Sequence, residues 1–254
     1  MLRFFRHIRK SLMEQNKVRT YIFYSIGEIA LVMVGILLAL QVSNWNQQNY
    51  ERDLEGKYLQ ELMEDFKENK RNADRVIGVV DRILPALISL LEQSALEAPD
   101  LSLDSLNTWY KEMNIMPTFR STDRAYTNIT GSGELKIISN DDIKYAMAMY
   151  YSRLEVLRLV QNTHELELVE TFQPYIIENM DFQAVHAERV DEYPLPDPVD
   201  EAAILEVLHT REFRNILTAK WTISTDLLNQ FREINILIDD VIKLIEEELN
   251  QENN

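Results

Sequence analysis

Two histidine–acid pairs at helical spacing are the residues in this chain best suited to chemistry. His164 is followed by Glu167, and Glu206 is followed by His209, so each pair would share one face of a helix. A zinc protease needs His-Glu-x-x-His, and a di-metal carboxylate bundle needs Glu-x-x-His on two helices. Each pair supplies too few ligands for either site, so we predict no metal, no cofactor and no catalytic residue.

A polar cluster in the segment MPTFRSTDRAYTNITGSGEL, residues 116–135, is a candidate binding site. Two cations among hydroxyl groups could hold an anionic small molecule or a carboxylate of a partner protein. The alternative is that the same side chains cap helices and form ion pairs between helices. The residues predicted to contact a ligand or partner are Arg120, Asp123, Arg124 and Ser132.

Two features that look like binding motifs have simpler explanations. The Gly-Ser-Gly turn at residues 131–133 lacks the lysine and the strand of a phosphate-binding loop, and it suits the end of a helix instead. Tyr150, Tyr151 and Trp221 are predicted to pack in or beside the core rather than to form a ligand-binding box.

Charge is unevenly distributed along the chain, which has 254 residues and a net charge of −16. Residues 1–50 carry six Lys or Arg and two acids, whereas residues 51–254 carry 20 basic and 40 acidic residues. A basic head and an acidic body indicate two environments, and the acidic body argues against a nucleic-acid partner. The chain has no Cys, which excludes disulfides and cysteine-based catalysis.

Residues 20–45 form an apolar segment whose only charge is Glu28. A bilayer core about 30 Å thick needs about 20 helical residues, and Tyr21 to Leu40 supplies that length. Because no small-x-small cleavage site follows Leu40, we predict a retained signal-anchor in the lipid bilayer rather than a cleaved signal peptide.

The orientation of this segment follows from the six basic residues that precede it. The positive-inside rule places the N-terminus in the cytoplasm and the acidic body on the other side of the membrane. Residues 1–19 have apolar side chains at near-helical spacing, which predicts an amphipathic segment on anionic headgroups; a frayed basic tail is the alternative. The expected parts are therefore residues 1–19, a transmembrane helix at 20–45 and an exported body at 46–254.

Two interpretations of Glu28 remain open. Near the cytoplasmic end of the span, its carboxylate could reach water or pair with Lys17 or Arg19. Alternatively, it heads a face of small residues that lets helices approach closely in lipid, and the chain then associates with itself or with another membrane protein. The predicted packing face consists of Glu28, Gly35, Ala39 and Ser43.

Apolar residues recur every three or four positions through the body, which predicts an all-α fold. Long apolar stripes cannot stay in water, so the helices should pack as an elongated antiparallel bundle that continues from the transmembrane helix. Pro85 is expected to kink the first helix, Ser121 or Thr122 to cap a short helix, and Ser139 to cap the next long one. Helices are predicted at about 54–90, 103–115, 121–130, 141–171 with a break at Pro174, 201–208 and 211–249, the last with a heptad seam.

Two stretches resemble a known family. FFRHIRKSLMEQNKVRTYIFYSIGEIALVMVGILLALQVSNWN, residues 4–46, resembles the N-terminal signature of an uncharacterised family of short single-pass membrane proteins common in Bacteroidota. GSGELKIISNDDIKYAMAMYY, residues 131–151, resembles the central motif of that family. The resemblance implies a bacterial inner-membrane protein with a periplasmic helical domain, and it implies no activity.

These observations favour a non-enzymatic, membrane-anchored interaction or scaffold protein of the cell envelope. The alternative is a periplasmic ligand-sensing bundle. Because only about 20 residues precede the span, such a sensor would need a membrane partner to pass a signal.

Overall fold

A computed structural model describes residues 18–97, 99–100, 102–180 and 206–252 of the chain. All regular structure in these ranges is helical, and they contain no β-strand, so the all-α prediction is confirmed. The elements are α1 (Val18–Ser94), α2 (Leu103–Met113), α3 (Arg124–Gly131), a 3-10 turn (Leu135–Ile137), α4 (Asp141–Glu167), a π-helical turn (Leu168–Phe172), α5 (Gln173–Asn179) and α6 (Arg211–Glu252).

The chain divides into two compact units, Met1–Lys57 and Tyr58–Asn254, and α1 contributes residues to both. In the first unit, α1 is long and apolar enough near its start to cross a membrane, by length and composition. The predicted amphipathic segment falls almost wholly outside the described residues, which begin at Val18. The predicted boundaries at residues 20 and 45 stay predictions.

In the second unit, three long helices share one core. The α1 residues from Leu59 onward, α4 and α6 each bury an apolar stripe whose members are three or four positions apart. The heptad seam predicted on α6 is confirmed as buried, because each of its six members is fully inaccessible. These residues are Leu227, Phe231, Ile234, Ile238, Val241 and Ile245.

Helix α6 runs antiparallel to both of its long neighbours in the second unit. Lys70 of α1 pairs with Asp239, while Asp81, further along α1, pairs with Arg232, which lies earlier in α6. On the α4 side, Asn140 contacts Glu248 of α6. Arg153, further along α4, contacts Glu233, which lies earlier in α6. Antiparallel pairing therefore describes α6 with α1 and with α4.

Helices α1 and α4 run in the same direction, which the antiparallel prediction did not include. Phe66 packs edge-on against Tyr150 in one core cluster, and Leu87 lies with Phe172 in the other, so residue numbers rise together on both helices. A parallel pair needs a return connection, and residues 114–123 provide it as an extended segment.

Side-chain amides hold this return segment in place. The Asn69 side chain accepts a hydrogen bond from the Thr122 N–H at 2.7 Å and donates one to the Thr122 carbonyl at 2.9 Å. Gln161 of α4 accepts from the Phe119 N–H at 2.8 Å. The backbone N–H and C=O groups of an extended segment need hydrogen-bond partners when no neighbouring strand supplies them. Here the partners are side-chain amides of α1 and α4.

Helix α1 continues through Pro85 to Ser94, and the kink expected at the proline stays a prediction. Two predicted ends of α4 differ from those observed. The cap of α4 is Asn140 rather than Ser139, because the Asn140 side chain accepts from the N–H groups of Asp142 and Ile143. The α-helical pattern of α4 ends at Glu167, before the expected break at Pro174.

A π-helical turn explains why the chain stays helical past Pro174. The Gln173 N–H donates to the Leu168 carbonyl, five residues back. Pro174 then lies in the first turn of α5, where a missing N–H costs little. Of the helix predicted at 201–208, residues 206–208 are helical and the others lie outside the described residues.

Candidate functional site

The predicted polar cluster surrounds α3, and its centre is an acid from another helix. Asp65 of α1 has a side chain only 4% exposed, and its Oδ2 accepts a hydrogen bond from the Ala125 N–H at 2.8 Å. Its Oδ1 lies 2.9 Å from Nη2 of Arg124. Asp123 precedes the helix but makes no side-chain cap, so Asp65 caps α3 from across the interface. The predicted cap at Ser121 or Thr122 is therefore wrong.

The other end of α3 closes with a Schellman motif. Gly133 has φ +73°, its N–H donates to the Thr130 carbonyl, and the Glu134 N–H donates to the Ile129 carbonyl. Ser132 donates to Glu134 at 2.9 Å, and Tyr58 donates to the same carboxylate. These two hydrogen bonds hold the pKa of Glu134 below its usual value.

The predicted cluster residues are thus divided between the two ends of α3. Asp123 and Arg124 lie beside Asp65, whereas Ser132 lies at the far end beside Glu134. Arg120 has an exposed side chain, and its carbonyl accepts from Asn72. Arg124 forms an ion pair between helices, and Ser132 lies at the C-terminal end of α3. Both observations agree with the alternative to ligand binding that the sequence left open.

A second polar cluster lies inside the body, between α4, the π-helical turn and α6. His164 and Lys220 are at most 1% exposed, Ser224 is 2% exposed, and the Glu167 side chain is 8% exposed. His164 and Glu167 are one turn apart on α4, and Lys220 and Ser224 are one turn apart on α6. We call these four residues the buried polar cluster.

An ion pair and an aromatic ring surround the buried ammonium group. Nζ of Lys220 lies 3.6 Å from Oε2 of Glu167 and 5.5 Å from the centre of the Phe172 ring. The ring nitrogens of His164 and the Ser224 hydroxyl have no hydrogen-bond partner among the described residues. Each polar atom buried without a hydrogen-bond partner lowers the stability of the fold by roughly 1–3 kcal/mol, so the cluster destabilises the core.

Burial shifts the pKa of each ionisable group in the cluster toward its neutral form. Burial lowers the pKa of Lys220 to about 8, although the Glu167 carboxylate opposes the shift. Burial, with a smaller contribution from the Lys220 charge, lowers the pKa of His164 to about 3. Burial raises the pKa of Glu167, and Lys220 partly offsets this. At neutral pH the imidazole is therefore neutral beside a charged amine.

This arrangement can exchange a proton between the Lys220 amine and the Glu167 carboxylate. Perturbed ionisable groups that lie together in a protein are candidates for a functional site, and π-helical turns often accompany one. The structural alternative is that the polar groups fix the register of α4 against α6.

The sequence contained a signal for Lys220 that motif searching missed. The α6 heptad pattern, extended toward the N-terminus from Leu227, passes through Ser224 and Lys220 before reaching Leu217 and Phe213. A lysine at a core position of an apolar seam predicts a buried charge. His164 occupies the equivalent place on the buried stripe of α4.

The predicted membrane packing face lies in the first unit. Glu28 is half-buried, and Gly35, Ala39 and Ser43 are exposed on α1. A Cβ added to Gly35 would meet nothing within 4 Å, so the position accepts a larger side chain without a clash inside the chain. The role of this face stays a prediction.

Comparison with known protein families shows which family the chain belongs to. Residues 28–171, more than half of its length, match a family of unknown function, DUF6090. The chain belongs to the DUF6090 family. The expectation of an uncharacterised family is confirmed, whereas the membrane location and the bacterial phylum stay predictions. Searches of curated proteins and of solved structures found no match.

The DUF6090 match covers the whole polar cluster around α3 and part of the buried polar cluster. It includes α3 and its Asp65 cap, together with His164 and Glu167 of α4. Lys220 and Ser224 lie beyond it on α6, so the family region contains only half of the buried polar cluster.

Proposed function

We propose that this DUF6090 member is a non-enzymatic interaction protein that a single helix holds in a membrane. The supporting observation is the exposure of the apolar start of α1, where thirteen large apolar side chains between Ile22 and Val42 are each 51–74% exposed. Burying one such side chain contributes about 1.5–3 kcal/mol, so covering all thirteen is worth on the order of 20 kcal/mol. A bilayer covers such a surface on every side.

The proposed topology places residues 1–19 in the cytoplasm, residues 20–45 in the inner membrane of a bacterium and residues 46–254 in the periplasm. The six basic residues before the span support this orientation. Protease added to spheroplasts should remove the body of the full chain. Protection of the body until the membrane is broken would contradict the orientation.

The interaction role is proposed for both the membrane helix and the body. In the membrane, the Glu28, Gly35, Ala39 and Ser43 face would pack against a second transmembrane helix, because small residues allow close approach. Crosslinking in the native membrane, followed by mass spectrometry, should capture a defined partner or a second copy. A chain that stays a solitary monomer after gentle solubilisation would contradict the proposal.

Variants can test the membrane face separately. Gly35→Leu fits inside the chain but would block close helix approach, so it should reduce crosslinked species, as should Glu28→Ala. Ile36→Leu, on another face of the same helix, is the matched control. Unchanged crosslinking in both Gly35→Leu and Glu28→Ala would contradict the packing role.

A second candidate function is ligand sensing, and the buried polar cluster favours it. Buried polar side chains without protein partners are the groups that a small polar ligand could satisfy. A ligand that binds only the folded state raises the melting temperature, so a small-molecule screen on the full chain in detergent should give a shift. The shift should disappear in Lys220→Met and persist in Arg124→Ala. A broad screen without any shift would contradict sensing.

A further inference from the structure

The buried apolar residues of the body form two cores rather than one. The first core is built from α1 between Leu59 and Val80, from α4 between Ile143 and Leu157, from α6 between Leu227 and Ile245, and from α3 with its flanking segments. The second core is built from α1 between Ile83 and Leu90, from α2, the π-helical turn and α5, and from α6 as far as Leu217.

A polar layer separates the two cores where α4 packs against α6. Both helices lie wholly within the described residues, and every buried side chain between the cores on them is polar. On α4 this residue is His164, and on α6 the residues are Lys220 and Ser224. Glu167, whose side chain is 8% exposed, completes the layer. The buried polar cluster therefore interrupts the apolar contact between these helices.

The polar layer weakens the coupling between the two cores. The ring nitrogens of His164 and the hydroxyl of Ser224 have no hydrogen-bond partner among the described residues. Burying such groups without partners is unfavourable, and separating the helices at this level would hydrate them. Two cores open together only if the contact between them is favourable, so this boundary allows one of them to open alone.

The backbone of α1 and α4 has weak points near the same level. Phe66 of α1 contacts Tyr150 of α4, and the two helices run in the same direction. Twelve residues further along both helices lie Gly78 and a position two residues before His164. Glycine weakens a helix interior, and Pro85 of α1 lacks the N–H of its turn.

The π-helical turn supplies a corresponding weak point after α4. It begins directly after Glu167, and its five-residue hydrogen bond replaces the usual α-helical pattern. Hinges are formed by a few positions that absorb changes in backbone angles. Gly78 on one helix and the π-helical turn on the other provide such positions on two sides of the polar layer.

We propose that the part of the body around the second core opens and closes as a cooperative unit of its own, hinged at the buried polar cluster, while the first core stays folded. We call this part the second half; it comprises α1 from Ile83 to Ser94, α2, the π-helical turn, α5 and α6 from Arg211 to Leu217. A partner that binds only the open form would shift the equilibrium. This inference goes beyond the proposed interaction role and does not depend on the membrane anchor.

Hydrogen exchange with mass spectrometry on the full chain in detergent, at increasing urea below the unfolding transition, tests the proposal. Helix α6 reports on both cores, because residues 215–217 belong to the second half and residues 227–245 to the first core. Amides at 215–217 should exchange at least about tenfold faster than those at 227–245. Amides at 84–94 and 104–113 should share the opening free energy and urea dependence of 215–217.

A double variant tests whether the polar layer is the boundary. His164→Leu with Ser224→Ala removes the polar groups without partners and leaves the ion pair of Lys220 with Glu167 in place. Exchange in the second half should slow about tenfold relative to the first core, because opening no longer hydrates these groups. Retained helical circular dichroism would show that the variant folds.

A glycine pair tests the hinge in α1. A Cβ at Gly78 would meet nothing within 4 Å, so Gly78→Ala stiffens the helix without a clash. It should slow exchange in the second half about threefold. Gly131→Ala is the matched control, since Gly131 ends α3 beside the first core and also has open space. It should leave exchange in the second half unchanged.

Three results would overturn this inference. The first is equal exchange and one urea dependence at residues 215–217 and 227–245, which would show that the body opens only as a whole. The second is a different urea dependence in each segment of the second half, which would show separate fraying. The third is an unchanged difference between the halves in the folded His164→Leu, Ser224→Ala variant. Each of these results leaves the proposed membrane role intact.

Discussion

Single residues in the body show how a charge can occupy an apolar seam. Lys220 is fully inaccessible between Leu217 and Ser224 on the buried face of α6, and its ion pair with Glu167 offsets part of the burial cost. The heptad pattern predicts that these positions are buried. It cannot predict the ion pair, because the pair joins α4 to α6 across 53 residues.

The buried imidazole should make stability depend on pH. The pKa of His164 is about 3 in the folded chain and near 6.5 when unfolded. Between these values the unfolded state binds more protons, so stability falls as pH falls through that window. Between pH 6.5 and pH 4, protonation of His164 in the unfolded state should lower the free energy of unfolding by on the order of 3 kcal/mol, and His164→Gln should abolish this decrease.

Urea unfolding of the full chain in detergent at both pH values measures the effect of His164→Gln. Glu167 contributes with the opposite sign, because its raised pKa makes the folded state bind more protons. This contribution is shared by both proteins and cancels in the comparison. Equal pH dependence in the variant and the natural chain would refute the prediction.

The ion pair inside the body should show strong coupling between its two residues. Lys220→Met leaves the Glu167 carboxylate buried without its cation, and removing one partner of a buried pair costs about 3–5 kcal/mol. The double variant Lys220→Met with Glu167→Gln removes both charges, so it should be more stable than Lys220→Met alone. Additive losses in a double-mutant cycle would contradict a buried pair.

At the scale of helices, sequence patterns located the elements better than their ends. The α4 start was predicted within one residue, whereas the α3 cap was missed because Asp65 is far away in sequence. Local spacing cannot identify an acceptor that tertiary packing supplies. The π-helical turn was also missed, since its five-residue hydrogen bond leaves no distinct apolar period.

The distant cap on α3 should matter more than the ion pair beside it. Asp65→Ala leaves the buried Ala125 N–H without its acceptor and should cost about 1–3 kcal/mol of stability. Arg124→Ala removes only the partner whose side chain is 75% exposed, and it should cost less than about 1 kcal/mol. Equal losses in the two variants, measured by urea unfolding, would show that the ion pair rather than the cap is important.

The turn after α3 should depend on one glycine. Gly133 has a positive φ and open space around it, so Gly133→Ala adds backbone strain of about 1–2 kcal/mol without a clash. Gly131→Ala is the matched control, since Gly131 is helical and also has open space. It should be neutral or stabilise the protein by about 0.5–1 kcal/mol. A shift in melting temperature of the same sign in both variants would contradict this assignment.

For the whole molecule, composition and periodicity predicted a helical body preceded by an apolar helix, and both are observed. The parallel arrangement of α1 and α4 was not predicted, because the return segment at residues 114–123 has no regular period. The candidate site was predicted only in part. Motif spacing selected His164 and Glu167 as a pair but not Lys220, whose approach depends on how α4 and α6 pack.

The most direct test of the account is alkaline carbonate extraction of membranes from cells that produce the full chain. The exposed apolar residues between Ile22 and Val42 predict that the chain stays in the pellet with integral membrane proteins. A variant with Leu31, Val34 and Leu38 replaced by Lys should move to the supernatant. Release of the unaltered chain into the supernatant would contradict the central claim.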